Sequence, residues 1–489
     1  MARQDPAIPK ANAHYRGFPS GEFHSLNYAA EVYKKPTRTE NTTRRVSVLA
    51  SANYTWNDIY LVDASVRFDG SSEFGANQKW APFFSGGLGV NIHNYDFFKS
   101  NGYINKLKLR ASYGRTGKVN FPAYAATTMY ETLFDEWYIT GYGAVLKALG
   151  NKDLTWEKTD KLSVGIETKT FHDRLTVDFE YYYNKTIDLV NDVTLSQTSG
   201  FSTYKDNMGQ VANKGVELKL RADIYRDRNW NVALWGNMAH NKNEILKISD
   251  SQKAYNERVA AYYKNEALYQ ETLGLSHGAE YSVPLPQYEE GASLTSIWAV
   301  RSLGIDPTTG KEIFLNRDGS IADKWNAAQE VVVGNTEPKC SGAFGLNLSY
   351  KNWTLFASFL YEWGGQEYNQ TLVNNVENAD LVNKNVDLRV LTDRWKKPGD
   401  IAQFKDIKDR GMTTLPTSRF VQDKALVRLN SLNVSYDFNR DWIKKHLRMN
   451  LLRLEASTSD LINWSSIKQE RGLSYPRSWK VEFSLKAQF

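Results

Sequence analysis

Apolar and polar residues alternate along several stretches of the chain, most clearly in its last twelve residues. From residue 478 the sequence reads Ser-Trp-Lys-Val-Glu-Phe-Ser-Leu-Lys-Ala-Gln-Phe. Successive side chains of an extended strand point to opposite faces, so the apolar set shares one face. Closing a sheet into a barrel removes the open edge of such a strand, and a bilayer gives its apolar face lipid to contact. The pattern predicts a membrane β-barrel with residues 478–489 as closing strand, signalled by Trp479, Val481, Phe483, Leu485 and Phe489.

Internal stretches alternate in the same way. Residues 46–56 and 60–68 are separated by Asn57-Asp58, a dipeptide typical of tight turns. Most charged residues in such stretches fall on the face opposite the apolar one, as Glu217 and Lys219 do. An Arg or Lys that faces lipid at mid-bilayer costs about 2–4 kcal/mol. The phase of the pattern therefore favours strands with one lipid face and one polar lumen face.

Short and long connections alternate between the predicted strands. Outer-membrane barrels have short periplasmic turns and long extracellular loops, which orients the chain. The long connections lie near residues 69–79, 116–155, 186–211, 243–340, 364–424 and 460–477. We count about thirteen spanning strands, whereas a complete single-chain bacterial barrel has an even number with both ends in the periplasm. We therefore expect strands before them.

The sequence thus predicts an all-β fold, the C-terminal part of a transmembrane antiparallel β-barrel. Residues 1–44 are expected to form an extracellular loop or a broken strand, and residues 45–489 the barrel part. An open sheet of this length would have two long edges, so we expect an incomplete barrel for the chain alone.

Composition agrees with a barrel and argues against spanning helices. The chain has 489 residues, of which 41% are hydrophobic, and its mean hydropathy is -0.54. No segment approaches the roughly 18–20 apolar residues of a membrane helix. Aromatic residues make up 13% of the chain, as expected if ring girdles mark two membrane interfaces, although a soluble sugar-binding β-protein would be aromatic too.

Candidate chemical sites are few. One cysteine, Cys340, excludes an intrachain disulfide and a thiolate metal cluster. Asp178 and Glu180 lie two residues apart on one face, which predicts solvation and pairing with basic neighbours in preference to a catalytic carboxylate pair. The stretch 316–320 resembles part of a calcium loop but lacks its full spacing, so we predict a hairpin turn. We expect no enzyme activity, cofactor or metal, and the formal charge of +6 without a basic run gives no case for nucleic acid.

Several phrases, in family order, resemble the barrel half of SusC/RagA-type TonB-dependent transporters. They lie at residues 67–75, 105–117, 154–159, 209–217, 304–310 and 333–339, and at the terminal Phe489. The resemblance implies a plugged barrel of roughly 22 strands in the bacterial outer membrane. About thirteen strands that end at the last would begin with an inward-running one, which agrees with the parity above.

The resemblance also implies function and partners. The expected function is the barrel portion of a TonB-dependent importer of oligosaccharides, glycans or peptides, which acts with a SusD-like surface lipoprotein as a lid. TonB would act through an N-terminal part, with plug and TonB box, that this chain does not show. Residues 1–10 also lack the pattern of a secretory signal, so we expect the chain to be mature, truncated or incomplete.

Loop aromatics are candidate contacts for substrate or for the lid. They are Trp137, Tyr138, Trp325, Trp363, Tyr368 and Trp395. Rings at loop bases also serve as interface anchors or loop packing. A short helix is expected near residues 387–395, ending before Pro398.

Two further functions stay open at this point. A passive porin would need the chain to be complete and its lumen unplugged. A barrel-anchored surface adhesin or enzyme would need a folded passenger or a catalytic set in the loops.

Overall fold

The strands of the chain follow one another into a single large antiparallel sheet. In this computed structural model the described residues are all except 1, 6–9, 17–30, 40–41, 100–102, 120, 122–123, 139–140, 195–202, 208, 249–251, 255, 258–283, 285–286, 384, 409–413, 439, 469–479 and 489. The strands, in chain order, are β1 Ala2–Asp5, β2 Lys10–Arg16, β3 Glu31–Thr39, β4 Thr43–Trp56, β5 Tyr60–Ser71, β6 Trp80–Asn91, β7 Ile104–Lys118, β8 Met129–Tyr138, β9 Gly141–Ala148, β10 Glu157–Thr170, β11 Leu175–Ile187, β12 Val190–Thr194, β13 Thr203–Asn207, β14 Gln210–Arg226, β15 Trp230–Lys247, β16 Ser296–Ala299, β17 Arg301–Ile305, β18 Glu312–Leu315, β19 Ile321–Ala322, β20 Val331–Asn335, β21 Cys340–Tyr350, β22 Trp353–Tyr368, β23 Val421–Asp437, β24 Leu451–Thr458, β25 Asn463–Ser465 and β26 Val481–Gln488.

Helices are short and lie between strands. They are α1 Asp96–Lys99, α2 Gln370–Leu372, α3 Arg389–Thr392 and α4 Arg440–Leu447, with 3-10 turns at Ile92–Asn94, Ala327–Gln329 and Ser418–Phe420 and a π-helical turn at Val373–Glu377. The helix expected near residues 387–395 is present as α3, and α2 with the π-helical turn was not predicted. In the part of the chain that the structure describes, no helix is long and apolar enough to cross a membrane.

The main sheet has the order β1-β4-β5-β6-β7-β10-β11-β14-β15-β21-β22-β23-β24-β26, and β25 pairs with β23. Beyond the four-residue β1, this path holds the thirteen strands that the sequence predicts. Strands adjacent on the path are antiparallel. Among the described residues, β26 pairs with β24 and β1 with β4, and these two end strands do not pair with each other. The sheet is therefore open, as predicted from the sequence.

Register gives the sheet two distinct faces. Leu109 pairs with Ile166, Ile166 with Phe179, and Phe179 with Leu218. We call the face that carries these residues the outer face. The opposite face carries Arg110, Glu180 and other polar side chains, and we call it the inner face. The two faces follow from the period of two in the sequence.

The short connection predicted at Asn57-Asp58 forms a tight turn between β4 and β5. Asn57 and Asp58 have φ angles of 51° and 57°, and the backbone N–H of Ile59 donates to the carbonyl of Trp56 over 3.0 Å. Asn and Asp tolerate this left-handed conformation, which matches the twist of a hairpin. Lys351, with φ of 52°, takes the same conformation between β21 and β22.

The long connections lie at the other end of the sheet and contain structure of their own. Small sheets pair β2 with β3, β8 with β9, β12 with β13, β16 with β20, and β17 with β18 and β19. Residues 1–44, expected to form a loop or a broken strand, thus contain three strands, of which β1 extends the main sheet. The predicted turn at residues 316–320 joins β18 to β19 and is confirmed as a hairpin, in which Asn316 N–H donates to the Ser320 carbonyl over 2.9 Å.

One cluster of buried residues forms a small core within the long connection between β22 and β23. It lies in residues 369–420 and consists of Leu372, Val373, Val376, Ala379, Val390, Phe404 and Phe420. We call residues 293–338 and 369–420 the loop module, because hydrogen bonds join the two segments directly, as between the Ser418 backbone N–H and the Val300 carbonyl, 2.9 Å apart.

Candidate functional site

Ion pairs cross the inner face of strands β7, β10 and β11. Arg110 Nη2 lies 2.9 Å from Asp178 Oδ1 and 2.6 Å from Glu180 Oε2. Lys106 Nζ lies 2.6 Å from Glu167 Oε1. The prediction that Asp178 and Glu180 pair with basic neighbours is therefore confirmed. These side chains make a hydrophilic wall of alternating charge.

A cluster of amides lies on the same wall, nearer the long connections. Asn213 Oδ1 accepts hydrogen bonds from Asn241 Nδ2 and Asn243 Nδ2, at 3.2 and 2.9 Å. Tyr182 Oη donates to Asn241 Oδ1 over 2.9 Å. The Glu337 carboxylate, which follows β20, accepts from Asn241 Nδ2 and from the Asn243 backbone N–H. Register brings these residues together, because Asn213 pairs with Asn243 and with Asn184 across β14.

The amide cluster borders a recess of about 540 Å³ on the inner face. Its lining residues are Ser112, Lys161, Leu162, Ser163, Glu180, Tyr182, Asn184, Asn213, Glu217 and Asn241. Most are polar, and they include hydrogen-bond donors, acceptors and both signs of charge. This surface suits a hydrated, hydrogen-bonding solute better than an apolar one.

The described residues offer little for metal chemistry. Among them, no group of three or more His, Cys, Asp and Glu side chains could hold a metal ion. Cys340 is a free thiol at the start of β21, as expected for the single cysteine of the chain. Its sulfur lies 3.9 Å from Tyr361 Oη.

Above the wall, one arginine joins both segments of the loop module. Arg419 Nη2 lies 2.9 Å from Glu312 Oε2 and 2.7 Å from Glu377 Oε1. Burial alone would lower the pKa of Arg419, but the charges of Glu312 and Glu377 outweigh it and hold that pKa above its ordinary value. Since Glu312 belongs to β18 and Glu377 to the π-helical turn, the arginine clamps the two segments together.

A second ion pair joins the loop module to the connection before β26. Lys468 Nζ lies 2.9 Å from Asp387 Oδ2. Hydrogen bonds from the Arg389 side chain and backbone, and then from Lys468, hold the pKa of Asp387 well below its ordinary range. The carboxylate thus stays ionised through mildly acidic pH, and the contact between the loops persists there.

Three of the predicted loop aromatics lie within the packing of the loop module. Trp395 is 8% exposed, and its Nε1 donates to the Pro307 carbonyl over 2.9 Å. Trp325 Nε1 donates to the Pro416 carbonyl over 2.9 Å. Tyr368 packs against Phe420, with ring centroids 5.9 Å apart. These contacts hold the module together; a role of these rings toward substrate or lid stays a prediction.

The other predicted aromatics are placed differently. Trp363 is 69% exposed and pairs with Cys340 on the outer face of β22, where a membrane-interface ring is expected. Trp137 and Tyr138 end β8 beside its turn into β9, and their side chains lie outside the described part. Their predicted contacts also stay predictions.

The terminal strand has the predicted pattern where it is described. Val481, Phe483 and Leu485 are 53%, 76% and 66% exposed, and Phe483 and Leu485 pair with Ala456 and Leu454 of β24. Their high exposure fits an apolar row that faces lipid. Trp479 and Phe489 lie outside the described residues.

Sequence reasoning missed the amide cluster and the arginine clamp. The signal for the first was present, because Asn213, Asn241 and Asn243 all occupy the polar phase of their strands. Predicting the amide cluster also requires the register of β14 against β15, which sequence alone does not fix. The clamp joins residues more than a hundred positions apart, and no periodic pattern marks it.

Residues 9–454 match the sequence profile of the family described as TonB dependent receptor-like, beta-barrel. A TonB-dependent receptor of Formosa agariphila is 27% identical over 524 residues, covering 96% of this chain and 49% of that protein. The TonB-dependent receptor SusC of Bacteroides thetaiotaomicron is 30% identical over 250 residues, covering 48% of this chain and 24% of SusC. The chain spans about half the length, or less, of these curated relatives.

Solved structures show the same fold. The RagAB peptide importer in its open-open state aligns with a TM-score of 0.79 at 23% identity, over 97% of this chain and 50% of that one. Another structure of the RagAB peptide transporter gives a TM-score of 0.76 at 23% identity, over 96% of this chain and 50% of that one. The open sheet therefore corresponds to about half of a larger outer-membrane barrel chain.

Proposed function

Because this chain belongs to the TonB-dependent receptor-like β-barrel family, of the SusC/RagA type, we propose that it forms the barrel portion of an energised nutrient importer in the outer membrane. One observation carries the proposal: a polar, hydrogen-bonding wall with a recess lies on the inner face, below the packed loop module. Such a wall lets a hydrated solute pass or dock without meeting apolar surface. The family lies in the outer membrane, and so does this chain.

We propose oligosaccharides or peptides as the substrate class. Both present hydroxyl, amide and carbonyl groups, which match the Asn, Tyr and Glu side chains of the recess. The likeness to a peptide importer, RagAB, supports the peptide alternative. The proteins to which the chain is similar are receptors and transporters, and we propose no enzymatic step.

A SusD-like lipoprotein is the proposed partner at the extracellular end. The loop module presents exposed apolar side chains there, including Val382, Leu388 and Leu391 at 81%, 71% and 57% exposure. Leu388 and Leu391 are three residues apart at helix α3, which places them on one side. A lid protein that covers them would remove apolar surface from water. Coupling to TonB would use the part of the family's length that this chain does not span.

The test is uptake by the host with the gene deleted and then restored. Labelled oligosaccharides and peptides are offered, with and without a protonophore that removes the energy source of TonB. We expect uptake of one class to be lost on deletion and on addition of the protonophore. Uptake that survives the protonophore would indicate a passive porin, and unchanged uptake with lost surface binding would indicate an adhesin.

Variants of the recess make this test specific to the inner wall. Replacing Asn213 and Asn241 by leucine removes two side-chain amides that a solute in the recess would hydrogen-bond. Each such hydrogen bond is worth about 1 kcal/mol, so uptake should fall about tenfold or more. The matched control is Asn53→Leu on the inner face of β4, which does not line the recess. Equal uptake by the recess variant and the control, at equal surface amounts, would remove the recess from the transport path.

A further inference from the structure

Basic side chains form a row on the outer face of neighbouring strands, at the end nearest the long connections. Lys214 of β14 pairs in register with Tyr183 of β11 and with Lys242 of β15. Tyr183 lies on the outer face, so both lysines do as well. Lys185 comes two residues after Tyr183 in the same strand and therefore shares that face.

The row extends to β7 through the same register. Arg115 pairs with Asp160 of β10, and Asp160 pairs with Lys185 of β11. The row is thus Arg115, Lys185, Lys214 and Lys242, which we call the basic row. It crosses the five adjacent strands β7, β10, β11, β14 and β15.

The basic row lies just beyond the apolar band of the outer face. On β14 the outer positions from Val216 to Ile224 are apolar, and Lys214 is the next outer position. Eight residues at about 3.3 Å each, tilted by about 40°, give a height of roughly 20 Å, close to the band of about 25 Å expected for lipid. Lys214 therefore lies at the depth where lipid headgroups begin.

Acidic residues on this face neutralise only part of the charge. Asp160 accepts two hydrogen bonds from Arg115, at 2.6 and 2.9 Å. Lys242 Nζ lies 3.5 Å from Glu244 Oε2, and a fifth cation, Lys158, lies 3.1 Å from Asp188. Five cations thus face three carboxylates.

Two lysines of the row stay uncompensated. Lys185 pairs in register with Asp160, which Arg115 already holds, and among the described residues neither Lys185 nor Lys214 forms a salt bridge. Lys214 is exposed, and Lys242 has 61% of its side chain exposed. The ammonium groups of Lys185 and Lys214 can therefore bind an anion.

Strands β6 and β22 carry aromatic rings on the outer face where the basic row carries cations. Phe84 of β6 is the register partner of Arg115 on its other side, and β22 ends its outer row with Tyr361 and Trp363. The four cations of the basic row thus lie together on neighbouring strands.

We propose that the basic row binds the phosphate groups of anionic lipid headgroups in the outer leaflet. The face below the row contacts lipid, so the molecules at its depth are lipid headgroups. Ammonium groups bind phosphate through charge-assisted hydrogen bonds, which are stronger than neutral ones. This binding does not depend on what the barrel transports.

The test uses the protein purified from the outer membrane of its host, in detergent. Diphosphoryl lipid A, dephosphorylated lipid A and inorganic phosphate are titrated, and the apparent dissociation constant of each is measured. The variant replaces Lys185, Lys214 and Lys242 by glutamine. The control replaces the inner-face lysines Lys108, Lys169 and Lys219 by glutamine, which removes the same charge from the opposite face.

We expect the wild-type protein to bind diphosphoryl lipid A more tightly than the dephosphorylated form. The outer-face variant should bind diphosphoryl lipid A at least about tenfold more weakly than the wild-type protein does. The control should keep wild-type affinity, and added salt should weaken binding in part. The proposal would be overturned if both lipids bound with equal affinity, or if the outer-face variant kept the wild-type affinity for diphosphoryl lipid A. It would also be overturned if inorganic phosphate bound as tightly as the lipid. A folded-band assay on cold gels confirms that both variants are assembled before they are compared.

Discussion

Replacing Arg419 by methionine is expected to loosen the loop module while the main sheet stays intact. The side chains of Arg419 and Glu312 are each 11% exposed and that of Glu377 is 0% exposed. Without the guanidinium, two carboxylates would remain close together with no counter-charge in a buried site. Breaking a buried ion pair in this way costs about 3–5 kcal/mol. Hydrogen exchange of residues 369–378 should therefore become about a hundredfold faster or more.

Strands β10, β11 and β14 serve as the internal reference, because their exchange should not change. Arg389→Met is the matched control in the same module, since Asp387 keeps its contact with Lys468. The Arg389–Asp387 pair is more exposed than the pairs of Arg419, and its loss should cost at most about 1 kcal/mol. Equal exchange in the two variants would show that Arg419 does not clamp the module.

Replacing Leu218 by arginine is expected to block assembly of the barrel or to destabilise it strongly. Leu218 lies in the middle of the apolar row of β14, between Phe179 and Met238 in register. An arginine at mid-bilayer costs about 2–4 kcal/mol. The fraction of protein that runs as a folded band on a cold gel, and its unfolding free energy in urea, measure the effect.

Ser65→Arg provides the comparison on the inner face. Ser65 lies midway along β5, pairs in register with Ser51 and Ser85, and is partly exposed. An arginine there remains in water, so folding should change by less than about 1 kcal/mol. Equal damage by Ser65→Arg and Leu218→Arg would contradict a sheet with one lipid face and one aqueous face.

The main sheet could be predicted from sequence because its signal is local. Alternation fixes which side chains share a face, and tight turns such as Asn57-Asp58 fix where the chain reverses. Each strand pairs mainly with its sequence neighbours, apart from the long connections. The all-β class, the thirteen long strands and the open sheet are confirmed for these reasons, and so is the SusC/RagA family type.

The loop module and the recess could not be predicted because they depend on contacts between distant residues. Arg419 meets Glu312 across 107 positions, and Tyr182 meets Asn241 across 59. Trp395 and Tyr368 were predicted from their residue type and loop position, which do not distinguish a ring packed in a loop from a ring that grips a ligand. Burial decides this, and burial is set by the whole module.

The orientation of the sheet in the outer membrane is tested most directly by labelling single cysteines on intact cells. In a Cys340→Ser background, Asp323→Cys places a thiol in the loop module and Arg228→Cys places one in the short turn between β14 and β15; both positions are exposed. The reagent is a maleimide coupled to a polyethylene glycol too large for porins. We predict that Asp323→Cys is labelled on intact cells and that Arg228→Cys is labelled only after the outer membrane is opened. Labelling of Arg228→Cys on intact cells, or of neither position until the membrane is opened, would contradict a barrel whose loop module faces the outside.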